Sequence, residues 1–262
     1  MAFALPADAR TRAACDKRYA PERGQDGKDV IWVPTEDAMV GRMLEMAKVT
    51  AADTVYDLGS GDGKIPIAAA KHFGATAVGI EYDARLVKYA QCLVAAEGLK
   101  QHVKVIQGDI FEADFSDATV VTLYLLPELN LRLRPTLLAM PPGTRVVSYS
   151  FTMGEWKPDD FIDSDGQGSA YLWIVPARID GAWTFRSESG ASFDAELEQT
   201  FQEVTGTFGG TRINGKVAGT AVTLNGRPDE PPLRLTGSLI DGRIEATFTR
   251  DAQSERYVGT RR

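Results

Sequence analysis

Cysteine and histidine are scarce in this sequence, with two residues of each type. Cys15 and Cys92 lie far apart, and neither belongs to a Cys-x-x-Cys pair. We therefore expect neither a disulfide framework nor a zinc site, and no metal in the functional site. With only His72 and His102 available, a catalytic triad or a histidine-rich metal centre has few candidates.

Long apolar runs and an excess of positive charge are missing as well. No apolar run reaches the roughly 18 residues that a membrane-spanning helix needs. The 29 Lys and Arg residues are outnumbered by 36 Asp and Glu residues, and the net charge of −7 opposes general attraction to nucleic acid or an anionic membrane. We expect neither partner. The run Met1–Pro6 is too short for the apolar core of a signal peptide, so a cytoplasmic location is the default and an exported form stays open.

Alternating strand and helix patterns occupy the middle of the chain. Apolar, β-rich runs begin at Thr54, Ala75, Val103, Thr119 and Arg145, and segments with helical spacing separate several of them. Strands that alternate with helices are typical of βαβ units. The pattern therefore predicts a parallel sheet with helices packed against it.

Two of the three predicted parts of the chain lie before residue 187. Residues 1–30 are polar and of mixed charge, and we interpret them as a flexible or lid-like arm. Residues 31–186 form the α/β domain. Within it we predict a helix over 135–140 and a closing hairpin made of 171–175 and 182–186.

The sequence changes character after this point, because no helical period is visible. Apolar and acidic residues alternate around residue 195, as in a half-buried strand. Asn214-Gly215, Asn225-Gly226 and Asp241-Gly242 are strong hairpin signals, since both residue types tolerate positive φ. Residues 187–262 therefore read as a small antiparallel β unit.

A glycine-rich turn is the strongest functional signal. Val55-Tyr-Asp-Leu-Gly-Ser-Gly-Asp-Gly63 joins a strand to a helix with GxGxG spacing, where backbone can approach a ligand closely. Asp57 and Asp62 would repel a phosphate at the start of the helix, which argues against a dinucleotide. They suit a ligand that carries an ammonium and a sulfonium group.

Acidic residues also end the next two strands. Glu81 follows the glycine turn by roughly 20 residues, where an acid can accept hydrogen bonds from both ribose hydroxyls. Asp109 follows Gly108 at the end of the third strand and can accept from an adenine amino group. The alternatives are a solvated acid at Glu81 and a turn or helix-capping residue at Asp109.

Together these motifs resemble the class I, seven-strand S-adenosylmethionine-dependent methyltransferases. The resemblance covers roughly residues 30–186. It implies a doubly wound, Rossmann-like α/β sheet with an antiparallel last strand, S-adenosyl-L-methionine as cofactor and S-adenosyl-L-homocysteine as product. The residues that it implies around the cofactor are Asp57, Gly59, Ser60, Gly61, Glu81 and Asp109. Further candidates for the cofactor pocket are Trp32, Thr35, Ile110 and Thr122.

The region of the fourth motif bears on the methyl acceptor. Val120–Asn130 lacks the Asn/Asp-Pro-Pro-Tyr box of enzymes that methylate nucleobase or glutamine amides. The runs from Leu133 to Trp156, and Val33-Pro34-Thr35, are similar to seven-strand histone-lysine methyltransferases and to the mitochondrial protein-lysine methyltransferases that act on ATP synthase and on the ADP/ATP carrier. Uncharacterised bacterial methyltransferase-domain proteins share the same arrangement. The resemblance implies a protein lysine as acceptor; a small amine or hydroxyl compound, or a non-catalytic cofactor-binding module, are the alternatives.

Few catalytic side chains are needed, because transfer from a sulfonium is an in-line displacement that depends on alignment and exclusion of water. Tyr124 and Glu128 lie just past the fourth strand. We predict that Tyr124 orients the acceptor and that Glu128 takes a proton or holds a cation. The alternatives are packing for Tyr124 and a favourable helix-start charge for Glu128. The sequence gives no oligomeric state.

Overall fold

The computed structural model describes residues 11–25, 27–29, 31–163, 168–226, 233–250 and 253–262. The chain divides into two compact units, Met1–Ala139 with Thr144–Trp173 and Met140–Gly143 with Ile174–Arg262. The helices of the first unit are α1 Arg12–Tyr19, α2 Asp37–Met46, α3 Lys64–Phe73, α4 Ala84–Ala96 and α5 Pro127–Leu138. Its strands are β1 Thr54–Leu58, β2 Thr76–Glu81, β3 Val103–Gln107, β4 Val120–Leu123, β5 Arg145–Tyr149, β6 Asp160–Asp163 and β7 Ser169–Ile174.

The first unit is built on a seven-stranded sheet in the order β3-β2-β1-β4-β5-β7-β6. Strands β1 to β5 pair in parallel, while β6 and β7 pair antiparallel. The central strands β1 and β4 are apolar and buried throughout most of their length, as expected of strands covered on both faces. The predicted doubly wound fold is confirmed, and it brings the ends of β1 to β4 to one edge.

Helix α1 lies within the range that the sequence assigned to an arm. The Thr11 hydroxyl caps its start, and Cys15 is disulfide-bonded to Cys92 of α4. The phenol of Tyr89 on α4 donates to Asp16 at 2.8 Å. The expectation that the two cysteines form no disulfide framework was therefore wrong. Because Cys15 is the only buried residue of α1, no apolar period marked this helix in the sequence.

Two other expectations in the α/β domain were wrong. Helix α5 begins at Pro127, where a missing N–H costs nothing, and Pro135 lies inside it rather than at a helix start. The predicted hairpin of 171–175 with 182–186 does not form. Strand β7 pairs with β6, and the strand that contains residues 182–186 belongs to the second unit.

The second unit is a closed antiparallel barrel of eight strands, so it begins before the predicted boundary at residue 187. Its strands are β8 Gly181–Ser187, β9 Ser192–Thr200, β10 Glu203–Phe208, β11 Thr211–Ala218, β12 Ala221–Gly226, β13 Leu233–Ile240, β14 Arg243–Arg250 and β15 Gln253–Arg261. Closure leaves no free strand edge. Aromatic rings that contact one another fill the core around Phe193, from Phe185 to Tyr257.

The hairpin signals were only partly correct. Asp241 and Gly242 join β13 to β14 with φ values of 49° and 75°. Asn214-Gly215 instead lies inside β11, where a Cβ on Gly215 would stand 1.9 Å from the carbonyl oxygen of Thr223. Asn225-Gly226 ends β12, and the residues that follow lie outside the described ones. Within the described part of the chain, no helix is long and apolar enough to span a membrane.

Candidate active site

The turn between β1 and α3 is left-handed at three glycines. Gly59, Gly61 and Gly63 have φ values of 79°, 53° and 76°, which residues with a Cβ adopt only at a cost. The backbone N–H groups of Gly59 and Ser60 both donate to the carbonyl of Ile80 in β2. The turn is thus fixed against β2 at the sheet edge.

A cavity of about 310 Å³ lies at this edge. It is lined by the turns that follow β1 to β4 and by a preceding segment of residues 27–29 and 31–35, which we call the strap. The sequence-predicted residues that the structure brings together here are Trp32, Thr35, Asp57, Gly59, Ser60, Gly61, Glu81, Asp109, Ile110 and Tyr124. Thr122 and Glu128 do not line the cavity.

Asp57 is a buried acid at the acidic end of the cavity, which we define by Asp57, Asp62 and Glu81. Only 3% of Asp57 is exposed, and burial raises the pKa of its carboxyl to about 7, with the charges of Asp62 and Glu81 acting in the same direction. The hydroxyl of Thr122 donates to its Oδ1 at 2.7 Å. Thr122 therefore holds Asp57 from the neighbouring strand β4 instead of lining the cavity.

Glu81 links the glycine turn to the start of α4. Its Oε2 accepts from the N–H of Gly61 and its Oε1 from the N–H of Asp83, each at 2.8 Å. Burial raises the pKa of Glu81, and burial also raises that of Asp62. A carboxylate has about four acceptor positions, so Glu81 keeps lone pairs for a ligand. Three buried acids at one end favour a bound cation.

Asp109 is engaged by a residue that the sequence analysis missed. Its Oδ2 lies 2.5 Å from Nζ of Lys28 in the strap, and its Oδ1 accepts from the N–H of Phe111 at 3.0 Å. The hydrogen bond from Lys28 is the main reason that the pKa of Asp109 is lowered. Lys28 also lies 4.8 Å above the ring of Tyr82. No local sequence pattern links residues so distant in the chain.

The strap closes over the glycine turn through Trp32. A Cβ on Gly61 would stand 2.5 Å from Nε1 of Trp32, so only glycine leaves room for the indole. The backbone N–H of Gly24 donates to the carbonyl of Trp32, and the N–H of Trp32 donates to the carbonyl of Gln25. These two hydrogen bonds fix the part of the strap around Trp32. Lys64 of α3 donates to the carbonyl of Thr35 at 2.8 Å and fixes its end.

The side of the cavity next to the ends of β4 and β5 is apolar and aromatic. This aromatic end consists of Tyr124, Leu125, Leu126, Leu129 and Phe151. The ring of Tyr124 lies 4.6 Å from that of Tyr149, and burial raises the pKa of the Tyr124 phenol, so its hydroxyl stays protonated at neutral pH. Glu128 is exposed on α5 and does not line the cavity, although the next residue, Leu129, does. The sequence analysis missed Leu126, Leu129 and Phe151.

These residues fit a cationic nucleoside ligand. Oγ of Ser60 is buried at the cavity without a hydrogen-bond partner among the described residues. The space lies at the lower end of the range for small-molecule sites, and acids surround one end of it. A ligand with an amino acid group, a sulfonium and a ribose would supply hydrogen-bonding groups to Ser60 and Glu81 and positive charge to Asp57.

Comparison with known proteins finds a family model and relatives that match part of the chain. Residues 57–160 match the ANTKMT methyltransferase domain. The chain is 42% identical over 151 residues to a protein-lysine N-methyltransferase of Saccharolobus islandicus (strain REY15A), across 56% of this chain and 94% of that protein. It is 32% identical over 128 residues to the adenine nucleotide translocase lysine N-methyltransferase of Mus musculus, across 48% of this chain and 55% of that protein.

A solved structure is also similar. An RNA methyltransferase from Salinibacter ruber, in complex with S-adenosyl-L-homocysteine, is 52% identical and superimposes with a TM-score of 0.55. The match covers 56% of this chain and 96% of that one.

Proposed function

We propose that this chain, which belongs to the S-adenosylmethionine-dependent methyltransferases of the ANTKMT family, methylates the side-chain amine of a lysine in a protein. The observation that carries the proposal is a cavity with an acidic end joined to an aromatic end. The cofactor supplies an already activated methyl group. The protein therefore needs to hold two reactants in line and to exclude water. The strap and the aromatic end would serve these two purposes.

A lysine amine suits the aromatic end chemically. Only a neutral amine can attack, and a free lysine has a pKa of about 10.4. The apolar walls formed by Leu125, Leu126 and Phe151 would disfavour the ammonium form through desolvation. The aliphatic stem of lysine gains contact with the same surface. The name of the Saccharolobus relative supports the same acceptor.

The cofactor contacts that we propose lie along the turns that follow β1, β2 and β3. Asp57 and Ser60 would hold the charged amino acid part, and Glu81 the ribose hydroxyls. Asp109 would receive the adenine amino group beside Lys28. These roles use two of the three acids whose pKa values are raised at the cavity, namely Asp57 and Glu81.

Roles at the aromatic end differ for the two predicted catalytic residues. Tyr124 lines the cavity and would orient the acceptor amine with its protonated hydroxyl. Glu128 is exposed outside the cavity, so we propose for it only a contact to a cation on the surface of a bound protein.

RNA is the strongest competing acceptor, because the Salinibacter protein is described as an RNA methyltransferase. The net charge of −7 disfavours it, since RNA binding depends on neutralising phosphates with Lys and Arg. A small amine or hydroxyl compound and a non-catalytic module are further alternatives.

Labelled cofactor separates these possibilities. The protein is incubated with methyl-labelled S-adenosylmethionine and the lysate of its native cells, and the label is followed after protease or ribonuclease treatment. We expect label on protein, located on lysine by mass spectrometry. Label on RNA or on small molecules would overturn the lysine assignment, and no label above a no-enzyme control would favour a binding module.

The compartment is a separate proposal. The predicted cytoplasmic location competes with an exported form, and the Cys15–Cys92 disulfide favours the exported one, because disulfides persist mainly in oxidising compartments. Trapping free thiols in intact native cells tests this. Recovery of both cysteines in the alkylated form would restore the cytoplasmic interpretation.

A further inference from the structure

Two side chains of α5 hold the segment that follows β5. Asn130 is 0% exposed, and its Nδ2 lies 3.1 Å from Oγ of Ser148, 3.3 Å from the carbonyl oxygen of Phe151 and 3.4 Å from that of Thr152. One helical turn later, Arg134 donates to the carbonyl of Met153 at 2.9 Å. Residues four apart share a helix face, so both side chains act on the same stretch of backbone.

The held segment is sharply bent. Ser150 has a φ of 66°, a conformation that a residue with a Cβ keeps only when its surroundings impose it. The N–H of Ser150 donates to the carbonyl of Ser169 at 2.7 Å, and that of Phe151 donates back to the carbonyl of Tyr149 at 2.9 Å. Asn130 adds the hydrogen bonds from the helix side, so the bend is fixed from two directions.

The bend determines which side chains line the aromatic end of the cavity. Phe151 lines the cavity, and the side chain of Ser150 interacts with the phenol of Tyr124 and partly offsets the rise in its pKa. Asn130 itself does not line the cavity. None of its hydrogen bonds reaches Asp57, Glu81 or Asp109, which belong to the cofactor side.

We propose that Asn130 is a positioning residue for the methyl acceptor, acting through Ser150 and Phe151 on the aromatic end of the cavity. The inference rests on the proposed function in one respect, namely that the acceptor enters at Tyr124. An apolar residue in place of Asn130 would leave buried carbonyl oxygens without a donor, and the bend would relax to pair them. Displacement of about 1 Å at an aligned site costs up to about a hundredfold in rate.

The test compares kinetics for the acceptor with affinity for the cofactor. Asn130→Leu and Asn130→Asp both remove the donors, and Asp keeps the size of the side chain. For each we expect kcat/KM for the acceptor to fall at least about tenfold. The Kd for S-adenosyl-L-homocysteine, measured by calorimetry, should stay within about twofold of wild type.

Leu133→Ala is the matched control, because Leu133 lies on the same helix and is 1% exposed but supplies none of the hydrogen bonds that hold the bend. It should lower Tm at least as much as Asn130→Leu and leave acceptor kcat/KM within about threefold at a temperature where both are folded. Equal acceptor losses in the two variants, or a cofactor Kd that weakens as much as kcat/KM falls, would overturn the proposal. If Asn130→Leu does not fold, Asn130→Asp carries the same comparison.

The choice of acceptor separates this inference from the proposed function. The assay uses whichever class of acceptor the wild type labels. If the wild type labels RNA and Asn130→Leu selectively loses acceptor kcat/KM, the lysine assignment is overturned and the positioning role is supported. If the wild type labels lysine and Asn130→Leu shows no such loss of acceptor kcat/KM, only the positioning role is overturned. A wild type that labels nothing would overturn both claims.

Discussion

The indole of Trp32 lies against Gly61, so close that a Cβ on this glycine would stand 2.5 Å from the indole nitrogen. This contact joins the strap to the turn that carries the acidic end of the cavity. It also explains why the glycine spacing of the turn matters beyond backbone conformation. Gly61 is required both for its positive φ and for the space above it.

The first prediction concerns Gly61→Ala. The added methyl should displace Trp32 and weaken binding of S-adenosylmethionine at least about tenfold, a loss of about 1.4 kcal/mol. The left-handed conformation should also cost about 1 kcal/mol of folding stability. Calorimetry and chemical denaturation measure the two effects separately.

Gly98→Ala controls for backbone strain. Gly98 also has a positive φ, of 72°, but a Cβ there would have nothing within 4 Å. We expect a similar loss of stability and unchanged cofactor affinity. An equal loss of affinity in both variants would contradict the role of the Trp32 contact.

The second prediction concerns the pH dependence of cofactor binding. Burial raises the pKa of Asp57 to about 7, so its charge forms between about pH 6 and 8. Affinity for the cationic S-adenosylmethionine should therefore rise through this range, and less so for the neutral-sulfur product S-adenosylhomocysteine. Titrations at pH 6 and 8 give the ratio of the affinities for S-adenosylmethionine and S-adenosylhomocysteine at each pH. In Asp57→Asn this ratio should no longer depend on pH. If this affinity ratio did not change with pH in the wild type either, Asp57 would not face the cation.

The third prediction follows from the same group and concerns stability. The folded-state pKa lies above the unfolded value of about 3.9, so the native state binds more protons between pH 4 and 7. Asp57 therefore contributes stability at low pH that is lost as pH rises through about 7, by a few kcal/mol at most. Denaturation of the cofactor-free protein should show a shallower decline for Asp57→Asn. Parallel pH profiles of the two proteins would contradict the burial of this charge.

The fourth prediction concerns the Cys15–Cys92 disulfide, which joins residues 77 apart in sequence. Closing a loop of this length stabilises a protein by about 4 kcal/mol on the chain-entropy account. Cys15→Ser should lower Tm and weaken cofactor binding, because the disulfide anchors the chain segment that leads from α1 to the strap. A Tm that is the same with and without a dithiol reductant would argue against the disulfide, and the double serine variant, which should not respond to reductant, is the control.

Local patterns account for what the sequence predicted well. The turn from Gly59 to Gly63 is visible because its glycines are needed at fixed spacing between a strand and a helix. The alternation of apolar strands and helices likewise predicts the parallel sheet. Each of these features depends on neighbours within about 20 residues, which a single sequence displays.

The features that were missed depend on distant partners. Nothing near Cys15 indicates Cys92, and nothing near Lys28 indicates Asp109. Residues 182–186 read as a hairpin partner of the preceding strand because strand patterns do not specify their neighbours. Only closure of the barrel, through pairing of β8 with β9 and β15, decides where they belong. Phe151 reaches the cavity because the chain bends at Ser150. A serine at this position does not predict a positive φ, so the bend could not be predicted from the sequence.

Titration of S-adenosylmethionine into the wild type, Glu81→Ala and Glu112→Ala tests the central claim most directly, namely that the acid-bearing turn holds the cofactor. Glu112 is an exposed acid and serves as the control. We expect binding by wild type and Glu112→Ala with equal affinity, and at least about tenfold weaker binding by a folded Glu81→Ala. Equal heats in all three proteins, or no binding by the wild type, would contradict the account.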